Sequence, residues 1–489
     1  MHFSRRAVLG FLMYSVADVA LADAPVRSVR PARRSRDAVK RSQPGIGDLV
    51  RAANLGGAVS CLVADARTGV VLEGFEPSKA LPPASVTKAV TTMYALEAMG
   101  PEFRFATRLI ATGPVSGGVL KGDLVLVGGG DPTLDTNDLN AMAGRLKEAG
   151  VQAVSGKFRV TSGGLPTVER IDGAQPDHVG YNPAVSGLNL NFNRVYLEWK
   201  RSGGGYQVGM DARSNRIKPG VAVAKTTVSD RQAPVFKYSS TGGRDNWSVA
   251  RGALGNAGGR WLPVRHPEIY AGDVLQTVAR SHGIKLPYPQ KIKNVPRGTV
   301  LVRHVSEPLA KICRDMLKFS NNLTAEVLGL QTSGAGRLTT SGGKMTSWLK
   351  ARHGVRNAKF VDHSGLGERS AISSAEMVKA LLGSGASGPL RPLLKEVAVR
   401  DDQGRPIQNG PIKVVAKTGT LNFVSALAGF IRTPDGRDLV FAFFAADVAR
   451  RQGLSKAEKE RPRGARTYNG RAKRLQQQLI RRWATVHGS

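Results

Sequence analysis

Acidic residues are the scarce class in this chain. Its 489 residues hold 37 Asp and Glu against 71 Lys and Arg, a formal net charge of +34. An excess of that size argues for polyanionic surroundings: nucleic acid, anionic lipid or a carboxylate-rich wall polymer. The other reading is a basic surface that only faces solvent. Nucleic acid is set aside because no RNP-like aromatic pattern, Cys/His finger or basic heptad helix accompanies the charge. Two readings remain: peripheral association with an anionic wall or membrane surface, and a basic surface that only faces solvent. Cysteine is nearly absent, with only Cys61 and Cys313. Neither they nor the eight histidines show metal-ligand spacing, so no metal and no cofactor are expected. The two cysteines fall on a strand and a helix of different layers, which favours two buried thiols over a disulfide. Aromatics make up only 6% while Gly numbers 57, which calls for many turns and short strands. Beyond the N-terminus no run reaches the roughly 18 to 20 apolar residues of a membrane span.

What is present begins with an export signature. Ser4-Arg5-Arg6 precedes an apolar run over 7–22, and Ala20-Leu21-Ala22 fits a small-x-small cleavage site. Residues 1–22 therefore read as a secretory signal for a periplasmic protein. The paired arginines resemble a twin-arginine signal, with Val8 where that pattern prefers Phe and Asp18 inside the apolar core. A basic, Pro- and Ser-rich leader follows over 23–44 and reads as disordered.

From 58 the pattern turns to strands, 58–64 and 70–74 joined by a turn, then a helix over 85–99 behind Pro82-Pro83. Residues 102–290 change character: short strands such as 120–127 and 188–199, dense Gly, and one clear helix near 137–149. Helices return over 306–318, 321–332, 342–353 and 374–383. The chain closes with strands at 414–417, 424–432 and 438–446, and a helix near 470–485. Strands at both ends with helices between them predict a discontinuous α+β domain of antiparallel sheet plus helices, residues 45–104 and 291–489. A mainly β insertion over 105–290 interrupts it.

Three short motifs carry the chemistry: Ser85-Val86-Thr87-Lys88, Ser320-Asn321-Asn322 and Lys417-Thr418-Gly419. Ser-x-x-Lys also occurs at Ser341–Lys344 and Ser347–Lys350, but only the Ser85 copy precedes the other two motifs and opens a helix. A serine hydroxyl needs a neighbouring base, and three residues along a helix Lys88 lies on the same face. To act as that base Lys88 must be neutral, so burial and a nearby cation such as Lys417 must lower its pKa. Ser320, read as an N-cap, suits a proton relay to the leaving amine, and Asn322 suits a grip on the substrate amide. Lys417 and Thr418 at a strand edge suit a terminal carboxylate, and Gly419 lets an extended peptide approach closely.

The ordered triple resembles the active-site-serine penicillin-recognising enzymes. The long gap between Ser85 and Ser320 narrows the resemblance to the D-alanyl-D-alanine carboxypeptidase/endopeptidases of the class C, type-four penicillin-binding proteins. Gly129-Gly130-Asp131-Pro132-Thr133-Leu134, the segment Asn182 to Asn189 and Asp362-His363-Ser364-Gly365-Leu366 support it. The resemblance implies Ser85 as the acylated serine, Lys88 as proton acceptor, and Ser320 and Asn322 as proton-transfer and substrate groups. Lys417 and Thr418 would bind the carboxylate, and the Ser85 and Thr420 N–H groups would form the oxyanion hole. It further implies peptidoglycan stem peptides as substrate and β-lactams as inhibitors. Two rivals stand beside it: a β-lactamase, and a catalytically weak wall-binding protein. Four intact motif residues weigh against the second, and the long insertion against the first.

Overall fold

The computed structural model describes residues 36–385 and 387–488. The expected signal at 1–22 and most of the 23–44 leader lie outside the described residues; the leader's last part carries a short helix, Arg36–Arg41.

From Pro44 onward the chain is built around a six-stranded antiparallel sheet. Its order is Val71–Phe75, Ala58–Asp65, Asp438–Ala446, Val424–Arg432, Lys413–Leu421, Lys395–Glu396. The two central strands are buried on both faces, which explains their almost unbroken apolar runs. Successive side chains alternate between two cores. Ala426, Ala428, Phe430, Val440, Ala442 and Phe444 pack under the helices Thr87–Met99, Leu309–Phe319, Asn322–Ser333, Leu338–His353 and Ser374–Gly383. Leu427, Ile431, Leu439, Phe441 and Phe443 pack under the C-terminal helix Ala465–Val486 through Leu475, Leu479, Ile480 and Trp483. The sheet is thus the middle of three layers, formed from both ends of the chain. The α+β expectation holds. Cys61 and Cys313 are separate, buried thiols.

The Thr87–Met99 helix runs through the middle of its layer, with every residue from Thr87 to Leu96 buried. It ends at Gly100, whose φ of 81° is backbone that glycine adopts without strain.

Between the first two motifs lie smaller sheets. Five strands, Gln290–Lys291, Phe158–Thr161, Leu124–Val127, Ala106–Ala111 and Thr299–Val305, form one of them, so Thr299–Val305 completes a sheet begun before residue 111. Two three-stranded sheets follow. Gly205–Asp211, Arg194–Ser202 and Ala257–Pro263 make one; Ala224–Ser229, Arg244–Ala250 and Phe236–Thr241 make the other.

Several expected elements shift. The strand read over 188–199 starts only at Arg194, after a tight turn at Asn191–Asn193. That turn is held by Asn193, whose side chain accepts from Leu190 N and donates to Ala184 O. A second helix, Pro267–Ser281, stands in the block read as mainly β. Its stripe of Tyr270, Ala271, Val274, Leu275, Val278 and Ala279 is buried, at helical spacing.

Candidate active site

Ser85 sits in a tight 3-10 turn, Ala84–Val86, that leads into the Thr87–Met99 helix rather than in the helix itself. The turn is held from both sides. Ala84 adopts φ 47°, a left-handed conformation that costs a non-glycine residue energy and persists only where packing fixes it. A Cβ on Gly365 would lie 1.8 Å from Ala84 O, and one on Gly419 would lie 2.7 Å from Pro83 O. Two glycines therefore let backbone close on the Ser85 turn from opposite directions. Gly419 was expected to admit substrate; its missing side chain also seats the serine.

Lys88 is completely buried. Its Nζ lies 2.9 Å from Ser85 Oγ, 2.7 Å from Asn322 Oδ1 and 2.7 Å from Ser364 O. Burial, then the positive charge of Lys417, holds its pKa well below the usual lysine value; Glu326 and Asp362 pull the other way. A neutral amine has two N–H donors and one lone pair. The Asn322 oxygen and the Ser364 carbonyl can only accept, so they take the two donors. The lone pair is left for the Ser85 hydroxyl proton. That is the arrangement a lysine general base requires.

The second motif is built differently from expectation. Ser320 is not an N-cap: it closes the Leu309–Phe319 helix with φ 57°, and Asn321 caps the next helix by accepting from Thr324 N at 2.9 Å. This left-handed corner places Ser320 beside the third motif, where its Oγ accepts from Lys417 Nζ at 3.1 Å. Asn322 lines the same cleft. Its amide is fixed between Lys88 and Tyr181 O, to which Nδ2 donates at 2.9 Å.

Lys417 is almost fully buried, and burial with the neighbouring Lys395 charge lowers its pKa to about 8. Thr418 and Thr420 are exposed at the strand edge, paired on the other side with Leu427 and Ser425. Ser85, Ser320, Asn322 and Thr420 line one cleft of ≈ 400 Å³, which continues past Leu421 and Asn422 to Arg451, Lys459 and Glu460. Lys417 reaches this cleft through its bond to Ser320 Oγ, whereas Thr418 and Gly419 line a different pocket, of ≈ 210 Å³, together with Gln476 and Gln477 of the C-terminal helix.

The Asp362–Leu366 segment, singled out in the sequence without a role, forms the rear wall. Ser364 supplies the carbonyl to Lys88. Glu326, fully buried, accepts from His363 N at 3.0 Å and Ser364 N at 2.9 Å, while Asp362 accepts from Gly365 N at 2.8 Å. Burial raises the pKa of both acids, with repulsion from Asp362 adding to it at Glu326 and repulsion from Asp172 at Asp362. His363 is seated because Gly329 has no side chain: a Cβ there would fall 2.1 Å from the ring. Burial pushes His363 down to about 3, so it stays neutral, with Nε2 2.6 Å from Ser341 Oγ. Replacing Glu326 by alanine leaves two buried N–H groups unmet, at about 1–3 kcal/mol each. The expected result is a clearly lower denaturant midpoint and slower acylation together, with Glu326→Gln closer to wild type. An unchanged midpoint in Glu326→Ala would show that the wall does not depend on this carboxyl.

The profile of the D-Ala-D-Ala carboxypeptidase 3 (S13) family matches residues 45–462. The chain belongs to this family. Among its relatives, a D-alanyl-D-alanine carboxypeptidase of an Actinomadura species is 29% identical, over 87% of this chain and 83% of that protein. The D-alanyl-D-alanine carboxypeptidase DacB of Haemophilus influenzae is 23% identical, over 82% and 87%. The crystal structure of penicillin binding protein 4 (dacB) from Haemophilus influenzae superposes with a TM-score of 0.71 at 20% identity, covering 90% of this chain and all of that one. A second structure of that protein, complexed with a β-lactam, gives 0.69. The fold of this S13 member is therefore that of a penicillin-binding protein.

Proposed function

We propose that this protein is a penicillin-sensitive serine peptidase that removes the terminal D-Ala from D-Ala-D-Ala peptidoglycan stem peptides. The observation that carries this reading is the fully buried Lys88 amine, with two fixed acceptors and its lone pair toward Ser85. Family membership and the names of the relatives support the substrate.

In the reading proposed here, Lys88 takes the Ser85 proton as Oγ attacks the carbonyl carbon of the penultimate D-Ala. The Ser85 and Thr420 N–H groups stabilise the oxyanion. Ser320, whose Oγ accepts from Lys417, relays to the departing D-Ala amine the proton that Lys88 took, and Lys88 is neutral again. Water then attacks the acyl-serine as Lys88 takes its proton, and the ester opens as Lys88 returns that proton to Ser85 Oγ. Lys417 and Thr418 hold the terminal carboxylate. Arg451, whose Nη2 is paired with Glu368 Oε1 at 3.6 Å, lines the cleft as a guanidinium that suits an anionic substrate group. The same site serves a D-alanyl-diaminopimelate cross-link where the leaving amine belongs to a neighbouring stem.

This activity belongs outside the cytoplasmic membrane, in keeping with residues 1–22 as an export signal. Among the described residues no helix is long and apolar enough to cross a membrane.

The pH profile tests the roles of the two lysines. Lys417 is charged below about 8 and loses its charge as pH rises through that value. Lys88, held well below the usual lysine value by burial and the Lys417 charge, becomes a competent base as pH rises through its own lowered pKa. kcat/KM for a carboxylate-terminated peptide should therefore rise and then fall, with the falling limb near pH 8. Lys417→Ala should lose that limb and cut kcat/KM by about 10²-fold, the scale of one charge-assisted contact or more. Lys417→Arg should lose less. An alkaline limb that survives in Lys417→Ala would belong to another group.

A further inference from the structure

The cleft does not end at Glu460. That residue also lines a second groove of ≈ 430 Å³ walled by Trp199, Phe236, Leu254, Arg260 and Arg461. The two spaces share a wall, and His178 braces it with a 3.0 Å pairing to Glu460.

Chain direction says what arrives there. With its carboxylate at Lys417 and Thr418, a stem peptide runs amino-ward past Thr420, Leu421 and Asn422 toward Lys459 and Glu460. An extended peptide advances about 3.3 Å per residue, so the three or four residues on the acyl side cover roughly 10–13 Å. In peptidoglycan the amino end of that stem is joined to an amino sugar of the glycan strand. The sugar therefore follows the peptide out of the first cleft.

The second groove has the chemistry of a sugar site. Trp199 is half-buried across Gly258, where a Cβ would meet the ring at 2.4 Å, so glycine gives the indole its seat. The indole N–H is buried and has no hydrogen-bond partner. Phe236 is braced between the His178 ring, 5.0 Å away and nearly parallel, and the Arg260 guanidinium at 5.0 Å. Fixed aromatic walls offer apolar surface to the C–H face of a pyranose, and the charged rim of Arg260, Arg461 and Glu458 offers partners to hydroxyl and acetamido groups.

We propose that this groove binds the N-acetylated sugar that carries the stem peptide, so that the enzyme reads glycan and peptide together. The proposal rests on the peptidoglycan reading above. Its test uses the full chain with two substrates: a disaccharide-pentapeptide, and the same pentapeptide freed of sugar. Wild type should show kcat/KM about tenfold higher for the sugar-bearing substrate, mainly through KM. Trp199→Ala should bring the two within about twofold by losing the sugar-dependent part, while penicillin acylation and turnover of the free peptide stay unchanged. Trp199→Phe should keep part of the preference. Equal wild-type values for both substrates, or an undiminished preference in Trp199→Ala, would overturn the proposal. A preference for cross-linked peptide devoid of sugar would assign the groove to a second stem instead. Penicillin acylation without turnover of either substrate would reject the peptidase reading itself. Should Trp199→Ala fail to fold, peptide-free glycan strands titrated into wild type must quench tryptophan fluorescence saturably, and no quenching would refute the site.

Discussion

Ser85→Ala is expected to abolish covalent labelling by penicillin and to lower peptide turnover by at least about 10³-fold, since the variant keeps the binding cleft but has no nucleophile. Wild type should gain one drug mass per chain, mapped to Ser85 by mass spectrometry of the digested adduct. Two other serines share the Ser-x-x-Lys spacing, and the structure says why neither should compete. Ser341 is fully buried, its Oγ held by His363 Nε2 at 2.6 Å and Gly329 O at 3.0 Å. It has a histidine beside it, yet nothing can reach it. Ser347 and Lys350 are both exposed, so neither has the enclosed setting of the Lys88 amine. A drug adduct on Ser341 or Ser347, or labelling that survives in Ser85→Ala, would reject the assignment.

Substitution of Lys88 should slow acylation by about 10²- to 10⁴-fold while Ser85 remains in place, the range for a positioned general base. Lys88→Met removes the amine with little change of volume. Lys88→Arg keeps a cation that does not deprotonate near neutral pH. If Lys88 acts by giving up and taking protons, both variants fail alike. If it acts only as a charge, arginine restores the rate, and labelling within a few-fold of wild type would force that conclusion. The methionine variant leaves Asn322 Oδ1 and Ser364 O without their donor, so its folding should be checked by thermal denaturation beside the kinetics.

The parts of this site that were legible in the sequence are those fixed by local spacing or side-chain chemistry. Ser85 and Lys88 are one helical step apart, and Lys417 follows an apolar strand. A burial-lowered lysine could be anticipated because a serine nucleophile demands one. Ser364 was illegible as a partner of Lys88, because it acts through a backbone carbonyl and every residue has one. Glu326 was hidden for a related reason: mid-helix glutamates are ordinary, and only the fold turns this one inward to two backbone N–H groups. Ser320 was read as an N-cap from its residue type. Asn321 outcompeted it by one position and left Ser320 in a left-handed corner that no propensity favours. The Pro267–Ser281 helix was legible and went unread, since the glycine-rich neighbourhood outweighed its own apolar stripe.

Of the three partners of Lys88, Ser85 is next door and two come from distant parts of the chain, Asn322 at 234 residues and Ser364 at 276. No fragment made early in synthesis can hold the amine dry and neutral, so the nascent or unfolded polypeptide is chemically silent. Reactivity switches on only when both ends of the sheet have closed. Penicillin labelling is then more than an assay of activity. In a refolding experiment it would time the final closure of the tertiary structure, and in a cell it would count only those molecules that had finished folding.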